Sequence, residues 1–259
     1  MTFYPGFRIE VTTDPLGFVY GPDTFGPEPE LRSLDAIRPS LRDPGCSGPD
    51  PVYAIAMDVG NVRDRPELEQ RMLLVGAVAY AAGQLGDEPV RSQGHVHAKS
   101  SHSGWPPPEL YEIWSGEGFV LMQEVAGDDP GRCFAIRAKQ GDCVIVPPGW
   151  AHATISADPK QPLVFGAICD REYAFLYDEV RRRQGLAWYA VIAPDGELRW
   201  QPNANYQYRA LEIRGPHDYS EFGVAPGVPL YSQMQKDFNR FQWVSKPGLM
   251  GNRWKAFIP

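Results

Sequence analysis

Several features that would place a protein in a membrane or outside the cell are missing from this chain. No apolar run in its 259 residues approaches the roughly 20 residues that a membrane-spanning helix needs. The opening residues, MTFYPGFRIEV, lack the basic and apolar regions of a secretory signal peptide. The four cysteines include no Cys-x-x-Cys pair, which disfavours a zinc–thiolate site and indicates free thiols. We therefore expect a cytoplasmic protein.

Positive charge is also in short supply. The chain has 25 Lys and Arg against 32 Asp and Glu, a formal net charge of −7. Nucleic acids and anionic membrane surfaces are bound through a basic face, so neither is an expected partner. With 43% hydrophobic and 22% charged residues, the composition is that of a globular protein whose core can form without disulfides.

The chain contains 26 glycines and 26 prolines, too many for an architecture of long helices. Between residues 51 and 200, short apolar-rich runs alternate with turn residues, which is typical of an antiparallel β-sandwich or barrel. Two helices are predicted to interrupt this domain, at 65–72 and 174–184. Residues 1–50 are interpreted as a loop-rich N-terminal arm with at most one short helix. Residues 201–259 are interpreted as an aromatic-rich C-terminal extension that packs on the barrel or on a partner subunit, and a homodimer is the better expectation.

Histidine is rare, with five in the chain, and His95 and His97 are separated by one residue. Residues i and i+2 of a strand point to the same face, so these two imidazoles can lie side by side. Glu109 is a plausible third ligand of a metal ion, whereas Glu112 is expected on the opposite face of its strand. A single histidine in a strand is more often a hydrogen-bonded polar residue than a ligand, so both interpretations stay open on this evidence.

The wider pattern around these residues resembles the two motifs of the cupin superfamily. The first motif reads H-x-H and then E-x₆-G, and the second reads G-x₅-P-x-G-x₂-H. The matching residues are His95, His97, Glu109 and Gly116 in the first motif and Gly141, Pro147, Gly149 and His152 in the second. The spacer of eleven residues between His97 and Glu109 is longer than usual and indicates a loop inserted beside the site.

This resemblance implies an all-β fold, the cupin jelly roll or double-stranded β-helix, in which the two motifs face each other inside the barrel. It also implies one divalent metal ion, with His95, His97, Glu109 and His152 as its ligands. Three imidazoles and one carboxylate suit a first-row ion such as Fe, Mn, Ni, Co or Zn. A jelly roll without a metal is the alternative, since many cupins have lost their ligands.

A narrower resemblance is carried by four segments: GHVHAK from Gly94, ELY from Glu109, GEG from Gly116 and PPGWAHAT from Pro147. Together they are similar to the cupin-type glucose-6-phosphate isomerases of archaea and some bacteria. The resemblance implies interconversion of glucose 6-phosphate and fructose 6-phosphate, a step of glycolysis and gluconeogenesis. Glu109 could serve as the base of a cis-enediol path, with a hydride shift as the competing mechanism. Tyr111 shares the face of Glu109 and is either a proton donor to the sugar oxygens or a core aromatic residue.

The same resemblance implies a set of substrate-binding residues, with the phosphate about one hexose length from the metal. The set consists of Tyr53, Ser92, the Gly94 backbone and, near the sugar, Tyr177. Two departures bear on it, because residues 76–79 lack the threonine pair of the family and Gln93 replaces its lysine. Arg91 and Lys99 are the nearest compensating cations, and Lys99 is equally well explained as a surface residue.

Two other classes of function stay open. One is another metal cupin enzyme, chiefly a dioxygenase acting on small organic acids, which needs iron and an apolar pocket but no phosphate donors. The other is a sugar-binding cupin without turnover. The hydroxyl and amide groups at Tyr53, Ser92 and Gly94 favour the isomerase over the dioxygenase, and the complete ligand set favours an enzyme over a binding module.

Overall fold

Short β-strands are the main regular structure of the fold, which is known from a computed structural model describing residues 3–259. In chain order the strands are β1 Ile9–Thr13, β2 Leu16–Tyr20, β3 Thr24–Phe25, β4 Glu30–Arg32, β5 Tyr53–Met57, β6 Gly60–Asn61, β7 Leu73–Tyr80, β8 Gln84–Leu85, β9 Glu88–Pro89, β10 Val96–His97, β11 Glu109–Ser115, β12 Glu117–Gln123, β13 Cys133–Lys139, β14 Cys143–Val146, β15 Ala151–Ser156, β16 Val164–Asp170, β17 Phe175–Leu176, β18 Trp188–Ile192, β19 Leu198–Pro202 and β20 Leu211–Arg214. The helices are α1 Leu34–Ile37, α2 Arg65–Gln70, α3 Asp178–Arg182 and α4 Leu230–Lys236, and 3-10 turns cover Arg38–Ser40, Val62–Asp64, Ser220–Phe222 and Pro247–Trp254.

Two main sheets face each other across a shared apolar core. The larger has the order β14-β11-β16-β7-β5-β4, and all of its neighbouring strands are antiparallel. The smaller has the order β15-β12-β13-β20, with β20 parallel to β13. The consecutive strands β11 and β12 lie in different sheets, and the chain turns between them at Gly116, whose φ of 80° favours glycine. This crossing between the sheets is the jelly-roll arrangement, so the predicted all-β fold is confirmed.

The larger sheet is covered on both faces. Its inner face packs against the smaller sheet, and its outer face packs against the N-terminal arm and the C-terminal extension. Strands β7 and β16 are therefore buried along nearly their whole length. A strand buried on both faces has a continuous apolar sequence rather than an alternating one, and LLVGAVAY and VFGAICD are sequences of this kind.

Aromatic residues of the C-terminal extension form much of this outer core. The buried ones are Tyr219, Phe222, Tyr231, Phe241, Trp243 and Phe257. Trp243 also donates a hydrogen bond from Nε1 to the Phe222 carbonyl oxygen, at 2.9 Å. Because these side chains pack on the barrel of their own chain, they do not supply the exposed aromatic surface on which the homodimer prediction depends.

The flanking segments also add strands to the two sheets, which the sequence did not indicate. The N-terminal arm supplies the edge strand β4, the hairpin β1–β2 and the short helix α1. The extension supplies β20. Both predicted central helices are present but shorter: α2 lies within 65–72 and α3 within 174–184. The residues before α3 form β17, which pairs with β10. None of the described helices is long and apolar enough to cross a membrane.

Candidate active site

The structure brings His95, His97, Glu109 and His152 to one point inside the barrel. The candidate ligand atoms of these four side chains all lie within 4.8 Å of one another. His97 lies on β10, Glu109 is the first residue of β11 and His152 lies on β15. His95 precedes β10, but its backbone exchanges two hydrogen bonds with that of His152, each at 3.0 Å. The two motifs therefore meet through backbone pairing between distant segments.

Local turns and carbonyl groups orient the imidazoles. Gly149, with a φ of 80°, forms the turn between β14 and β15 and so positions His152. Nδ1 of His152 lies 3.1 Å from the Trp150 carbonyl oxygen, and Nδ1 of His97 lies 2.8 Å from the Pro107 carbonyl oxygen. A carbonyl only accepts, so Nδ1 carries the proton and Nε2 presents its lone pair. Pro107 belongs to the long spacer between His97 and Glu109. The spacer therefore has a structural role, because its carbonyl group orients the His97 ring.

The four donor atoms crowd a common centre. Nε2 of His95 and Nε2 of His97 are 3.2 Å apart, and Oε2 of Glu109 lies 3.2 Å from Nε2 of His152. Oε2 also lies 3.4 Å from Nε2 of His97. Lone pairs directed at one another repel unless a cation lies between them. The donor set, three imidazole nitrogens and one carboxylate oxygen, fits one first-row divalent ion.

Protonation states in the site are those that a metal ion requires. Burial lowers the pKa of His95 well below its usual value, and the neighbouring His152 and His97 lower it further, so the imidazole is neutral. Burial alone raises the pKa of Glu109, but the adjacent imidazoles of His152 and His97 lower it by more than burial raises it. The pKa of Glu109 is therefore held well below its usual range, and the side chain is a carboxylate.

Glu109 has two further hydrogen-bond partners. The Tyr111 hydroxyl donates to Oε2 at 2.7 Å, and the Cys169 thiol donates to Oε1 at 3.0 Å. Burial, and then the charge of Glu109, raise the pKa of Tyr111 well above its usual value, so its hydroxyl keeps its proton. Cys169 reaches Glu109 because β16 pairs with β11. Sequence reasoning missed this thiol, since no motif in the chain includes it.

An interior cavity of about 60 Å³ lies beside the cluster of four side chains. His95, Glu109 and Tyr111 form part of its wall. Three of the predicted substrate-binding residues line it as well, namely Tyr53, Ser92 and Tyr177. The ring centroids of Tyr177 and His95 are 6.0 Å apart. The structure therefore places these predicted residues around one interior space.

Two predicted substrate-binding residues lie elsewhere. Gly94 is buried behind the cavity wall, and its φ of 82° lets the chain turn between Ser92 and His95. Lys99 is exposed at the surface and is not part of the cavity wall. Gly94 is nevertheless close to the cavity, because its chain neighbours Gln93 and His95 both line it.

Several cavity residues were not assigned from the sequence, among them Tyr80, Gln93, Thr154 and Phe175. The Tyr80 hydroxyl donates to the Thr154 carbonyl oxygen at 3.1 Å, and the Thr154 amide donates to Ser92 Oγ at 3.2 Å. The ring centroid of Phe175 lies 4.3 Å from that of His95. Thr154 was detectable, because it follows His152 by two residues in a strand. Gln93 was noted in the sequence only as a departure from the family pattern, and Tyr80 and Phe175 come from segments that carried no local signal.

A jelly roll in which three histidines and one glutamate converge beside an interior cavity defines a candidate metal-dependent cupin. Within that class, the model of the family described as Glucose-6-phosphate isomerase (GPI) matches residues 41–209, more than half of the chain. The chain belongs to this family, as the sequence predicted. The matched region includes all of the predicted central domain.

Individual relatives with the name glucose-6-phosphate isomerase match this chain at modest sequence identity. Glucose-6-phosphate isomerase of Thermococcus kodakarensis is 30% identical over 156 residues, which cover 60% of this chain and 71% of the relative. The Pyrococcus furiosus protein of that name is 30% identical over 144 residues, covering 56% and 69%. The Sinorhizobium medicae protein of that name is 28% identical over 145 residues, covering 56% of this chain and 62% of the relative. The chain thus spans less than two thirds of this last relative.

Proposed function

We propose that this protein is a metal-dependent isomerase that interconverts glucose 6-phosphate and fructose 6-phosphate. The observation that carries the proposal is the convergence of His95, His97, Glu109 and His152 on one point, beside a cavity whose wall includes two of them and also presents hydroxyl groups. Membership of the GPI family supports the same conclusion. The reaction is a step of glycolysis and gluconeogenesis.

The reaction moves a hydrogen between C1 and C2 of the sugar and shifts protons on the adjacent oxygens. A divalent ion held by the four ligands would supply Lewis-acid stabilisation of negative charge on those oxygens. Glu109 is the carboxylate at the site and can take the carbon-bound proton at Oε2. Tyr111 holds a proton at its hydroxyl, 2.7 Å from that oxygen, and can exchange it with the sugar oxygens. In the competing hydride path, Glu109 serves as a ligand alone.

Glu109 works in a dry environment. Glu109 is 5% exposed, and Tyr111 is 4% exposed. Exclusion of water strengthens each electrostatic interaction within the site. We assign substrate contacts to Tyr53, Ser92, the Gly94 backbone and Tyr177, with Lys99 as an outlying cation. The assignments of Tyr53, Ser92 and Tyr177 are supported by the positions of these residues in the cavity wall.

A dioxygenase acting on a small organic acid is the second candidate. It is favoured by the apolar part of the cavity wall, formed by Ile55, Met57, Val78, Phe165 and Phe175. The hydroxyl groups of Tyr53, Tyr80 and Tyr177 favour a sugar ligand instead. A non-catalytic sugar-binding cupin would show ligand binding without turnover.

The test is a coupled assay in which fructose 6-phosphate is converted and the product is oxidised by glucose-6-phosphate dehydrogenase. We expect turnover that EDTA abolishes and that added Fe(II) or Mn(II) restores, because the ligands need a bound ion. His152→Ala should lose metal and turnover. His102→Ala is the matched control, since His102 is an exposed loop residue. Full turnover in demonstrably metal-free protein would contradict metal dependence, and a metal-loaded wild type without turnover would exclude the isomerase.

We also infer three finer properties. The native ion is a first-row divalent metal, with iron among the candidates, the location is cytoplasmic, and the assembly is a homodimer whose interface lies outside the buried aromatic core of the extension. The donor set supports a first-row ion, and the four unpaired cysteines suit a reducing compartment. Metal analysis, localisation of a tagged chain and light scattering test these three points separately.

A further inference from the structure

Gln93 has a buried hydrogen-bond donor that lacks a partner. Its side chain is 1% exposed and lines the cavity. Arg181 donates from Nε to Gln93 Oε1 at 2.9 Å. A guanidinium has no acceptor, so the amide oxygen must be the atom that faces Arg181, and Nε2 carries the free N–H groups. Within residues 3–259, Nε2 of Gln93 has no hydrogen-bond partner. An unpaired buried donor is costly, which points to a ligand that supplies an acceptor.

Positive charge surrounds this end of the cavity. The Arg181 guanidinium lies over the Tyr177 ring, 5.0 Å from its centroid, and no carboxylate in the described part of the chain forms an ion pair with it. Its neighbours Arg182 and Arg183, by contrast, both pair with Glu179. Arg181 therefore contributes a charge that nothing in the described structure neutralises directly.

A second arginine flanks the same tyrosines. Arg32 pairs in register with Tyr53, and its charge acts on the hydroxyls of both Tyr53 and Tyr177, lowering pKa values that burial raises. Nε of Arg32 is buried and has no partner among residues 3–259. Glu30 is the acidic group here, with Oε1 at 2.6 Å from Nη2 of Arg32. Two guanidiniums thus face one carboxylate around Tyr177.

We propose that the end of the cavity at Gln93 receives the anionic group of the ligand, a phosphate monoester dianion, with Arg181 and Arg32 as the cations next to the residues that line it. Gln93 donates directly from Nε2, Arg181 positions that amide, and both arginines supply positive charge. The unpaired atoms are all donors, as a group that only accepts hydrogen bonds requires. Gln93 and His95 are two residues apart, at most about 7 Å along the chain, so one ligand of hexose size can contact both. This inference rests on the proposed function, because the sugar phosphate is its substrate.

The test uses metal-loaded protein and two independent probes, inorganic phosphate by calorimetry and fructose 6-phosphate by steady-state kinetics. Gln93→Leu removes the donors at similar volume. Gln93→Glu keeps an acceptor for Arg181 but places a negative charge at the site, so it guards against a folding defect. Both should weaken phosphate binding and raise KM by about tenfold or more. We expect kcat within about twofold and unchanged metal content, because the ligands of the ion are untouched.

The positioning role of Arg181 has its own readout. Arg181→Gln should raise KM in the wild type but have much less effect in the Gln93→Leu background, because the amide it orients is absent there. Arg182→Gln is the matched control on the same helix, with an exposed side chain, and should resemble the wild type.

The outcomes separate this inference from the proposed function. Active Gln93 variants with wild-type KM and wild-type phosphate affinity would overturn the inference and leave the isomerase standing. A wild type that turns over no hexose 6-phosphate, but binds phosphate in a Gln93-dependent manner, would overturn the isomerase and support the anion site. A wild type that binds neither probe would overturn both.

Discussion

At the scale of single residues, the hydrogen bonds of Glu109 decide which of its oxygens can act. The Cys169 thiol donates to Oε1, while Oε2 faces the Tyr111 hydroxyl and the imidazoles of His97 and His152. Glu109 therefore presents one oxygen to the centre of the site. The same oxygen must serve as ligand and as base, so the two roles compete for one atom.

Replacing this carboxylate by an amide separates the two roles. Glu109→Gln keeps an oxygen for the metal but cannot take a proton, so we expect turnover to fall roughly a hundredfold or more. Metal content and turnover should be measured in the same preparation. Glu112→Gln, on the same strand but outside the site, is the control. A fully metallated Glu109→Gln protein of nearly normal activity would exclude Glu109 as the base and favour the hydride path.

At the scale of elements, β11 links the site to the C-terminal extension. Tyr111 and Ile113 belong to the inner core of the barrel, whereas Leu110 and Trp114 belong to the outer core. Glu112 lies on the outer face, as its strand position predicts. Its carboxylate accepts hydrogen bonds from the Leu230 amide at 2.9 Å and from Trp114 Nε1 at 3.0 Å. Strand β11 thus carries the candidate catalytic residues Glu109 and Tyr111 on its inner face. On its outer face it carries Glu112, which holds the first residue of helix α4 by a hydrogen bond.

The Glu112 carboxylate makes stability depend on pH. Burial raises the pKa of Glu112 to about 7. A carboxyl with a folded-state pKa above its unfolded value binds more protons when folded, so the free energy of unfolding falls as pH rises between the two values. We expect a loss of up to about 3 kcal/mol between about pH 5 and pH 8. Glu112→Gln should lack this slope in urea titrations across the same range, and parallel curves for the two proteins would contradict the assignment.

At the scale of the whole molecule, the C-terminal extension acts as the cover of the larger sheet. Its aromatic side chains share one apolar core with β7 and β16. The extension therefore stabilises the sheet that supplies Glu109 and much of the cavity wall. We expect the extension and the barrel to unfold together.

Trp243→Ala tests this cooperation. Trp243 is 2% exposed and donates to the Phe222 carbonyl oxygen, so its truncation should lower the free energy of unfolding by about 3–5 kcal/mol. Trp105→Ala, at a side chain 40% exposed, should change it by no more than about 0.5 kcal/mol. Denaturant unfolding followed by far-UV circular dichroism measures both. An unchanged midpoint for Trp243→Ala would show that the extension does not contribute to barrel stability.

The sequence by itself determined the family, the all-β class and the residues that converge as candidate ligands. These follow from short spacings along single segments: His95 and His97 two residues apart, and His152 after the turn at Gly149. Local geometry converts such spacings directly into direction, because a strand alternates its side chains and a glycine turn reverses the chain.

Only the tertiary structure decided which distant groups meet these residues. Cys169 reaches Glu109 through the pairing of two strands, and the unpaired amide of Gln93 is apparent only once Arg181 is beside it. The tertiary structure also decided where the C-terminal extension packs. Its aromatic residues show no period in the sequence, and the surface that they cover is that of the barrel. Contacts between segments far apart in the chain depend on sheet register and burial, which short patterns in one sequence do not encode.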